Sequence, residues 1–283
     1  MDMTVLEDLK GKNCVITGGA GVLGSSLVEC LARAGVKTAI LGRNVDRATK
    51  KALEIASSTG GTVMGIGADV VDRKSLVDAK KAINDRLGAI DILINAAGGN
   101  NPAATTAAET VEDKYLDRLE ETFFGLDIES FRTVFDLNLI GTLLPSMVFA
   151  RDMIDRKKGV ILNISSMNSY RPLTRIAAYS AAKASINNFT AWLAVHLAPQ
   201  NIRVNALAPG FFLSDQNRFL MYDQATGALS ARGNKIIAGT PMKRFGVPDE
   251  LQGALLYLVS DMSKFVTGIV IPVDGGFSAY SGV

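Results

Sequence analysis

Tyr179 and Lys183 stand four residues apart in the stretch YSAAK, among side chains that are otherwise small. A tyrosine ordinarily keeps its proton to about pH 10. On a helix, residues four apart share one face, which brings the lysine ammonium near the phenol. A cation there favours the phenolate, so the spacing predicts a lowered tyrosine pKa and a group able to pass a proton near neutral pH. The same spacing also fits an ordinary pair on an amphipathic helix, and the surrounding elements must decide between the two.

A second stretch with chemical meaning is TGGAGVLG, residues 17–24. Gly19, Gly21 and Gly24 satisfy G-x-G-x-x-G directly after a strand-like run and at the start of a helical one. Glycines there let the backbone turn tightly and approach a pyrophosphate, which meets the free N–H groups and positive end of the helix. The expected contacts run over Thr17, Gly18, Gly19, Gly21, Val22, Leu23 and Gly24. A glycine-rich turn alone is weak evidence, but its place in the first unit of an alternating chain favours dinucleotide binding. The second strand-like run ends in AILGRN, where an enzyme preferring NAD usually places an acid. Gly42 followed by Arg43 and Asn44 leaves room and positive charge for a 2′-phosphate, which favours NADP(H), with NAD(H) as the alternative. A solvated loop arginine is the competing reading of Arg43. Asp69, followed by Val70 after the third run, has three readings: an acceptor for the adenine amino group, a cap for the helix near Ser75, or a stabiliser of its own turn.

These residues need a scaffold that brings them to one edge. Short β-branched runs (KNCVIT, KTAIL, TVMGIG, AIDILIN, GVILNIS, IRVNAL and GIVIPV) alternate with helical stretches of about 10–20 residues, the pattern of a parallel sheet covered by helices on both faces. The expected fold is therefore a Rossmann-type, doubly wound α/β sheet of seven parallel strands. No linker, repeat or low-complexity tract interrupts it, so residues 1–283 are read as a single domain. In such sheets ligands bind at the carboxyl ends of the strands.

The composition is that of a globular chain, with 48% hydrophobic and 20% charged residues. A net charge of +2 with scattered Lys and Arg argues against a nucleic-acid partner. The acidic, polar start lacks the look of a secretory or transit segment, and no uninterrupted apolar run reaches the roughly 18 residues of a membrane span. A cytoplasmic protein without membrane attachment is expected. Cys14 and Cys30 read as small core residues, and the lone histidine, His196, as a packing or subunit-contact residue with no metal site around it.

In order and approximate spacing, TGGAGVLG, NAAG, NISS, YSAAK and APG resemble the short-chain dehydrogenases/reductases over nearly the whole chain. The family's usual loop is T-G-x-x-x-G-x-G; here Val22 stands where it has its second glycine, and Gly21 lies one residue earlier. The resemblance implies that Tyr179 is the proton donor and acceptor. Lys183 would lower its pKa and bond the nicotinamide ribose, and Ser166, at the family's separation from Tyr179, would hold the substrate oxygen. It further implies that Asn138 steadies a water in the proton relay, that Asn95 supports the central strand beside the cofactor, which Asn95, Ala96, Ala97 and Gly98 line, and that Pro209 and Gly210 flank the nicotinamide. The ending DGGFSAYSGV resembles the family's tetramer-forming edge, which implies a homotetramer.

Between Asn95 and Asn138 the chain is longer than the family usually allows. This insertion, around 99–126, begins polar and ends in a charged segment with helical spacing. It is expected either to wall the active site or to lie in solvent or a subunit contact, with Asn100 and Asn101 favoured for a polar pocket. Asn168, Arg171 and Arg175 follow the fifth strand, where an arginine could grip a carboxylate through two parallel bonds or simply face solvent. A long segment around 211–246 reads as a partly mobile substrate lid, with Phe211 and Phe212 near the cofactor and Gln216 and Asn217 able to meet hydroxyls. GGNNPAATT, FDLNLIGTLLP, ISSMNSYRPLT and APGFFL resemble the D-mannonate oxidoreductase, or fructuronate reductase, group. That resemblance implies a sugar-acid substrate, with gluconate 5-dehydrogenases and other sugar or polyol reductases as the rival reading and a non-catalytic dinucleotide sensor as a more distant one.

Overall fold

The computed structural model describes residues 6–213 and 218–282. Seven strands form one all-parallel sheet: β1 (Asn13–Thr17), β2 (Lys37–Gly42), β3 (Val63–Gly67), β4 (Ile92–Asn95), β5 (Gly159–Ile164), β6 (Ile202–Pro209) and β7 (Val270–Val273). Each corresponds to a run read from the sequence; β4 begins later than read, at Ile92. The helices are α1 (Val22–Arg33), α2 (Val45–Thr59), α3 (Arg73–Leu87), α4 (Ile128–Phe135), α5 (Gly141–Phe149), α6 (Arg151–Arg156), α7 (Ala177–Leu197), α8 (Arg218–Met221), α9 (Ala231–Gly239) and α10 (Gln252–Val259).

The strand order β3-β2-β1-β4-β5-β6-β7 reverses direction between β1 and β4. At such a switch point the connections leave on opposite faces, opening a crevice above the strand ends. Side chains alternate across the sheet. Cys14, Ile16, Ile40 and Leu162 pack against Leu27, Leu31, Ile55 and Leu255 on one face. Val15, Leu41, Leu93 and Ile161 pack against Leu76, Ile83, Phe149 and Leu193 on the other. Burial on both faces is why these strands read as continuous apolar runs. The same burial raises the pKa of both cysteines, Cys30 to about 11, so both are inert thiols in the core.

Helix ends follow side-chain chemistry. Asn44 caps α2 by accepting from the Arg47 N–H, and Gly60 ends it in the left-handed conformation at φ 70°. Asp72, not Asp69, caps α3, accepting from the N–H groups of Lys74 and Ser75. Asp69 instead stabilises its own turn, accepting from Val71 N at 3.1 Å.

Ile128–Arg156 is helical throughout and is long and apolar enough to cross a membrane, contrary to the expectation from the sequence. Charged residues break its apolar runs, which hid the pattern. Half of its most apolar window is buried, and the helix packs on α3, β4 and α7 as a core helix. The insertion also departs from expectation. Its charged end forms short 3₁₀ turns at Asp113–Tyr115, Leu119–Glu121 and Phe123–Gly125 rather than an α-helix. Such turns close i→i+3 bonds and rarely propagate.

Candidate active site

The glycine loop leaves β1 at the switch point. Gly18 sits at φ 68°, and a Cβ there would lie 2.9 Å from Ala96 O. A Cβ on Gly24 would reach 2.5 Å from Gly18 O. The loop therefore needs glycine to fold against itself and against the β4 loop. It delivers the N-terminus of α1, capped by Gly21 without a side-chain bond, so the first amides of the helix are available to an anion. These features fit a dinucleotide pyrophosphate. Thr17 has another task than the expected contact: it is fully buried, and its hydroxyl accepts from the N–H groups of Ala96 and Ala97, both at 3.0 Å. Val70 is likewise buried, against Gly141. Leu23 packs on the core.

No carboxylate stands at the end of β2. Arg43 is exposed beside Asn44, whose side chain is spent on the helix cap. Arg47, one turn on, donates from Nη2 to Ala20 O at 3.1 Å and ties α2 to the glycine loop. Sequence reasoning missed Arg47, which lies in the first turn of α2 and meets the glycine loop only through the fold.

On the far side of the crevice, buried amides hold the strand ends in register. Asn95 donates to Ser146 Oγ at 3.0 Å and to Asn163 Oδ1 at 2.9 Å, and Asn163 donates to Thr190 Oγ1 at 2.9 Å. These bonds tie β4 to β5, α5 and α7 through three residues that the sequence did not single out. Asn138 lies in a π-helical turn, Asp136–Ile140, with its side chain fully buried. Its Nδ2 donates to Gly99 O and Val134 O, both at 2.8 Å, and its Oδ1 accepts from Gly99 N at 3.2 Å. A Cβ on Gly98 would come within 2.7 Å of Asn138 Oδ1 and 3.2 Å of Lys183 Nζ, so glycine is needed for the backbone to pass between them. The π-turn aims Asn138 into the site, as such bulges often do.

Ser166 follows β5, and Tyr179 and Lys183 share one face of α7, so the fold brings the three together. The Ser166 hydroxyl bonds the Tyr179 phenol and accepts from Asn168 N at 3.2 Å. Lys183 Nζ donates to Ile164 O at 2.8 Å and lies 5.6 Å from the centre of the Tyr179 ring. The expected lowering of the tyrosine pKa is not found in the chain alone. Burial raises the Tyr179 pKa, with the Ser166 bond acting the other way. Burial also pulls Lys183 down, to about 7. The helix spacing is as read, but desolvation outweighs a cation that is itself desolvated.

The start of the insertion packs beside Tyr179. Ala104, in the turn Pro102–Ala104, packs with Val134, Ala178 and Tyr179. Asn101 caps that turn, and Asn100 is exposed, donating to Thr105 Oγ1 at 2.9 Å. Further along, Glu109 accepts two bonds from Lys235 on α9, at 2.8 and 2.7 Å, which clasps the insertion to α9. Asn168 is buried, and its Oδ1 has no partner among the described residues. Arg171 and Arg175 are both exposed. Arg171 donates from Nη1 to Tyr280 O, and Arg175 from Nε to Thr106 O at 2.7 Å. Each thus fastens a neighbouring segment, leaving its remaining N–H groups for other use.

Pro209 ends β6, and Gly210 lies so close to β7's exit that a Cβ would meet Asp274 at 2.6 Å. Phe212 bridges to Gly246, while Phe211 packs edge-on to Phe277. Both phenylalanines line a cavity of about 350 Å³ with Met242, Arg244 and Asp274. Gln216 and Asn217 lie outside the described residues. His196 stacks on Trp192, ring centres 4.8 Å apart, on the outer face of α7, away from Ser166 and Tyr179.

A reversed parallel sheet with a dinucleotide turn at its switch point defines a nucleotide-dependent α/β protein, and the comparisons with known proteins narrow it. The chain belongs to the short-chain dehydrogenase/reductase family: a family model described as enoyl-(acyl carrier protein) reductase matches residues 19–278. It is 51% identical to an uncharacterised oxidoreductase of Bacillus subtilis, UxuB, over 98% of both chains. A solved structure of a candidate D-mannonate oxidoreductase from Haemophilus influenza with bound NAD is 48% identical, with a TM-score of 0.92 over 98% of each chain. A gluconate 5-dehydrogenase from Burkholderia cenocepacia, solved with NADP and tartrate, is 30% identical, with a TM-score of 0.81 over 97% of this chain and 99% of that one. The protein is thus an NAD(P)-dependent dehydrogenase/reductase.

Proposed function

We propose that the protein interconverts a sugar-acid ketone and its alcohol, with D-fructuronate and D-mannonate as the pair reacting at C5. The single observation that carries this reading is the likeness, across 98% of both chains, to the candidate D-mannonate oxidoreductase. The site supports it. The orphan Oδ1 of the buried Asn168, two residues beyond Ser166, is an acceptor suited to a substrate hydroxyl. Arg175 spends only Nε on Thr106, and its paired Nη groups can still hold a carboxylate.

A bound nicotinamide would supply the hydride chemistry at the reacting carbon in either direction. Tyr179, kept protonated near neutral pH by burial, gives its proton to the forming alkoxide when the ketone is reduced. Ser166, already bonded to the phenol, holds the same oxygen. In oxidation Tyr179 takes the alcohol proton, which is favoured as pH rises and whenever Lys183 is charged. Asn138, fixed by Gly99 and Val134, keeps the water beside Lys183 in place. Gly98, Ala96 and Ala97 would present backbone to the cofactor, and Pro209 and Gly210 would flank its nicotinamide. Arg43 favours NADP(H) by offering a charge where an acid would repel the 2′-phosphate, while the NAD-bound relative keeps NAD(H) as the alternative.

A second reading, a gluconate 5-dehydrogenase or another sugar or polyol reductase, is favoured by the exposure of both Arg171 and Arg175 and their ties to backbone carbonyls. Initial rates of nicotinamide absorbance change with D-fructuronate, 5-keto-D-gluconate and neutral ketoses, each with NADPH and with NADH, separate the two. A saturable rate confined to D-fructuronate is expected. Turnover of 5-keto-D-gluconate or a neutral ketose in its place overturns the substrate.

We also propose a homotetramer in the cytoplasm, assembled through apolar surface that the isolated chain leaves open. Trp192 and Val195 on α7 are 57% and 77% exposed, Phe265 is fully exposed, and β7 is a free sheet edge. Light scattering checks this; a fully active monomer contradicts it.

A further inference from the structure

The residues assigned to proton transfer sit on two separate elements. Ser166 follows β5, whereas Tyr179 and Lys183 ride on α7. Their separation depends on how α7 is fixed to the β5 exit; Thr190 on α7 bonds Asn163 within the strand, and Asn187 grips the loop beyond it. Ser165 Oγ donates to Asn187 Oδ1 at 2.5 Å. Asn187 Nδ2 donates to Ser169 Oγ at 2.8 Å. Ser169 Oγ then donates to the backbone carbonyl of Ser166 at 2.6 Å. Every hydroxyl and amide in this chain points its proton the same way, so each bond strengthens the next. A hydroxyl has a single proton to give, and the 2.5 Å bond from Ser165 to Asn187 prevails over its 3.3 Å contact with Lys183 O.

We infer that Asn187 is a positioning residue for the reaction, the rivet that sets the distance between Ser166 and the Tyr179–Lys183 face of α7. It lies four residues, one helical turn, beyond Lys183, and it grips the β5 exit on both sides of Ser166, through Ser165 and Ser169. The Ser166 hydroxyl is oriented by Asn168 N, in the turn Met167–Ser169 that Asn187 holds. Loosening Asn187 lets that turn slide along α7. Ser166 and Tyr179 then no longer converge on one oxygen, although both residues remain present. The inference rests on the Ser166–Tyr179–Lys183 reading of the site.

The experiment compares Asn187→Ala, Ser169→Ala and the double variant with the parent protein, using whichever ketose the substrate panel identifies. The expected result is a fall in kcat of about ten- to hundredfold for Asn187→Ala, the scale of a small misplacement of reacting groups. KM and cofactor dissociation constant, the latter read by quenching of Trp192 fluorescence, are expected to stay within about twofold. The isotope effect with 4-deuterated cofactor is expected to rise as the chemical step slows. Ser169→Ala is expected to show a similar fall, with the double variant no worse than the more damaged single, because both cut one chain. An unchanged kcat in Asn187→Ala, or effects in the two singles that simply multiply, overturns the inference. If Asn187→Ala does not fold, Ser169→Ala carries the same test by the same kcat and KM readouts. Tyr179→Phe is measured alongside. Normal turnover in that variant refutes the site reading, whereas its inactivity with a fully active Asn187→Ala refutes only the rivet.

Discussion

Lys183 Nζ stands 5.6 Å from the centre of the Tyr179 ring and gives its bond to the Ile164 carbonyl, at 2.8 Å. The lysine is 4% exposed, and burial is the cause of its pKa of about 7. The two groups therefore oppose each other in the chain alone, each desolvated and each held towards its neutral form. Protein stability is given up at this point to keep a proton-transfer pair out of water.

This predicts a pH-dependent stability cost. In the unfolded chain a lysine binds its proton up to about pH 10.4. In the folded chain Lys183 loses it above about 7. Between those values the unfolded state binds more protons, so this group makes stability rise with pH, and its full cost is felt below pH 7. Lys183→Met is expected to be more stable than the parent at pH 6, by about 2 kcal/mol after the loss of the Ile164 bond, with a smaller gain at pH 10. Urea unfolding at the two pH values measures it. An equal gain at both, or a loss at pH 6, contradicts the buried-lysine argument.

Arg43 and Arg47 predict how the cofactor is chosen. Arg43 is exposed and free of the glycine loop, whereas Arg47 is fastened to Ala20 O. Arg43→Ala is expected to raise the KM for NADPH about tenfold or more, the worth of one charge-assisted phosphate bond, and to leave that for NADH within about twofold. Equal effects on both cofactors in steady-state kinetics show that Arg43 does not meet a 2′-phosphate.

The Glu109–Lys235 clasp joins the insertion to α9. Both partners are exposed, so salt must weaken the pair. Glu109→Gln is expected to speed limited proteolysis around α9 about threefold at low salt and to differ little from the parent at 1 M salt, where screening has already loosened the clasp. Identical cleavage of variant and parent at low salt removes the clasp from the account.

The sheet was legible because parallel strands buried on both faces leave unbroken apolar runs, and all seven runs became strands. Asn95 was singled out only through the resemblance carried by NAAG. Asn187, Asn163 and Ser146 were not legible. Each bonds to a residue distant in sequence, and nothing in their local pattern reveals which strand end the helix will face. The tyrosine pKa was misjudged because spacing gives proximity but not burial, and burial decided the sign. Glu109 and Lys235 were hidden likewise: an insertion without helical or strand periodicity gives no sign of which segment it will meet.

The central claim is that Tyr179 moves the proton that accompanies hydride transfer. Tyr179→Phe removes one hydroxyl from a partly buried ring and leaves the glycine loop, Arg43 and Lys183 in place. Its turnover with the identified ketose is to be measured beside its cofactor affinity. The account predicts a kcat lower by about a thousandfold, the range for loss of a general acid, with cofactor affinity within about twofold. A variant that turns over at the parent rate contradicts it.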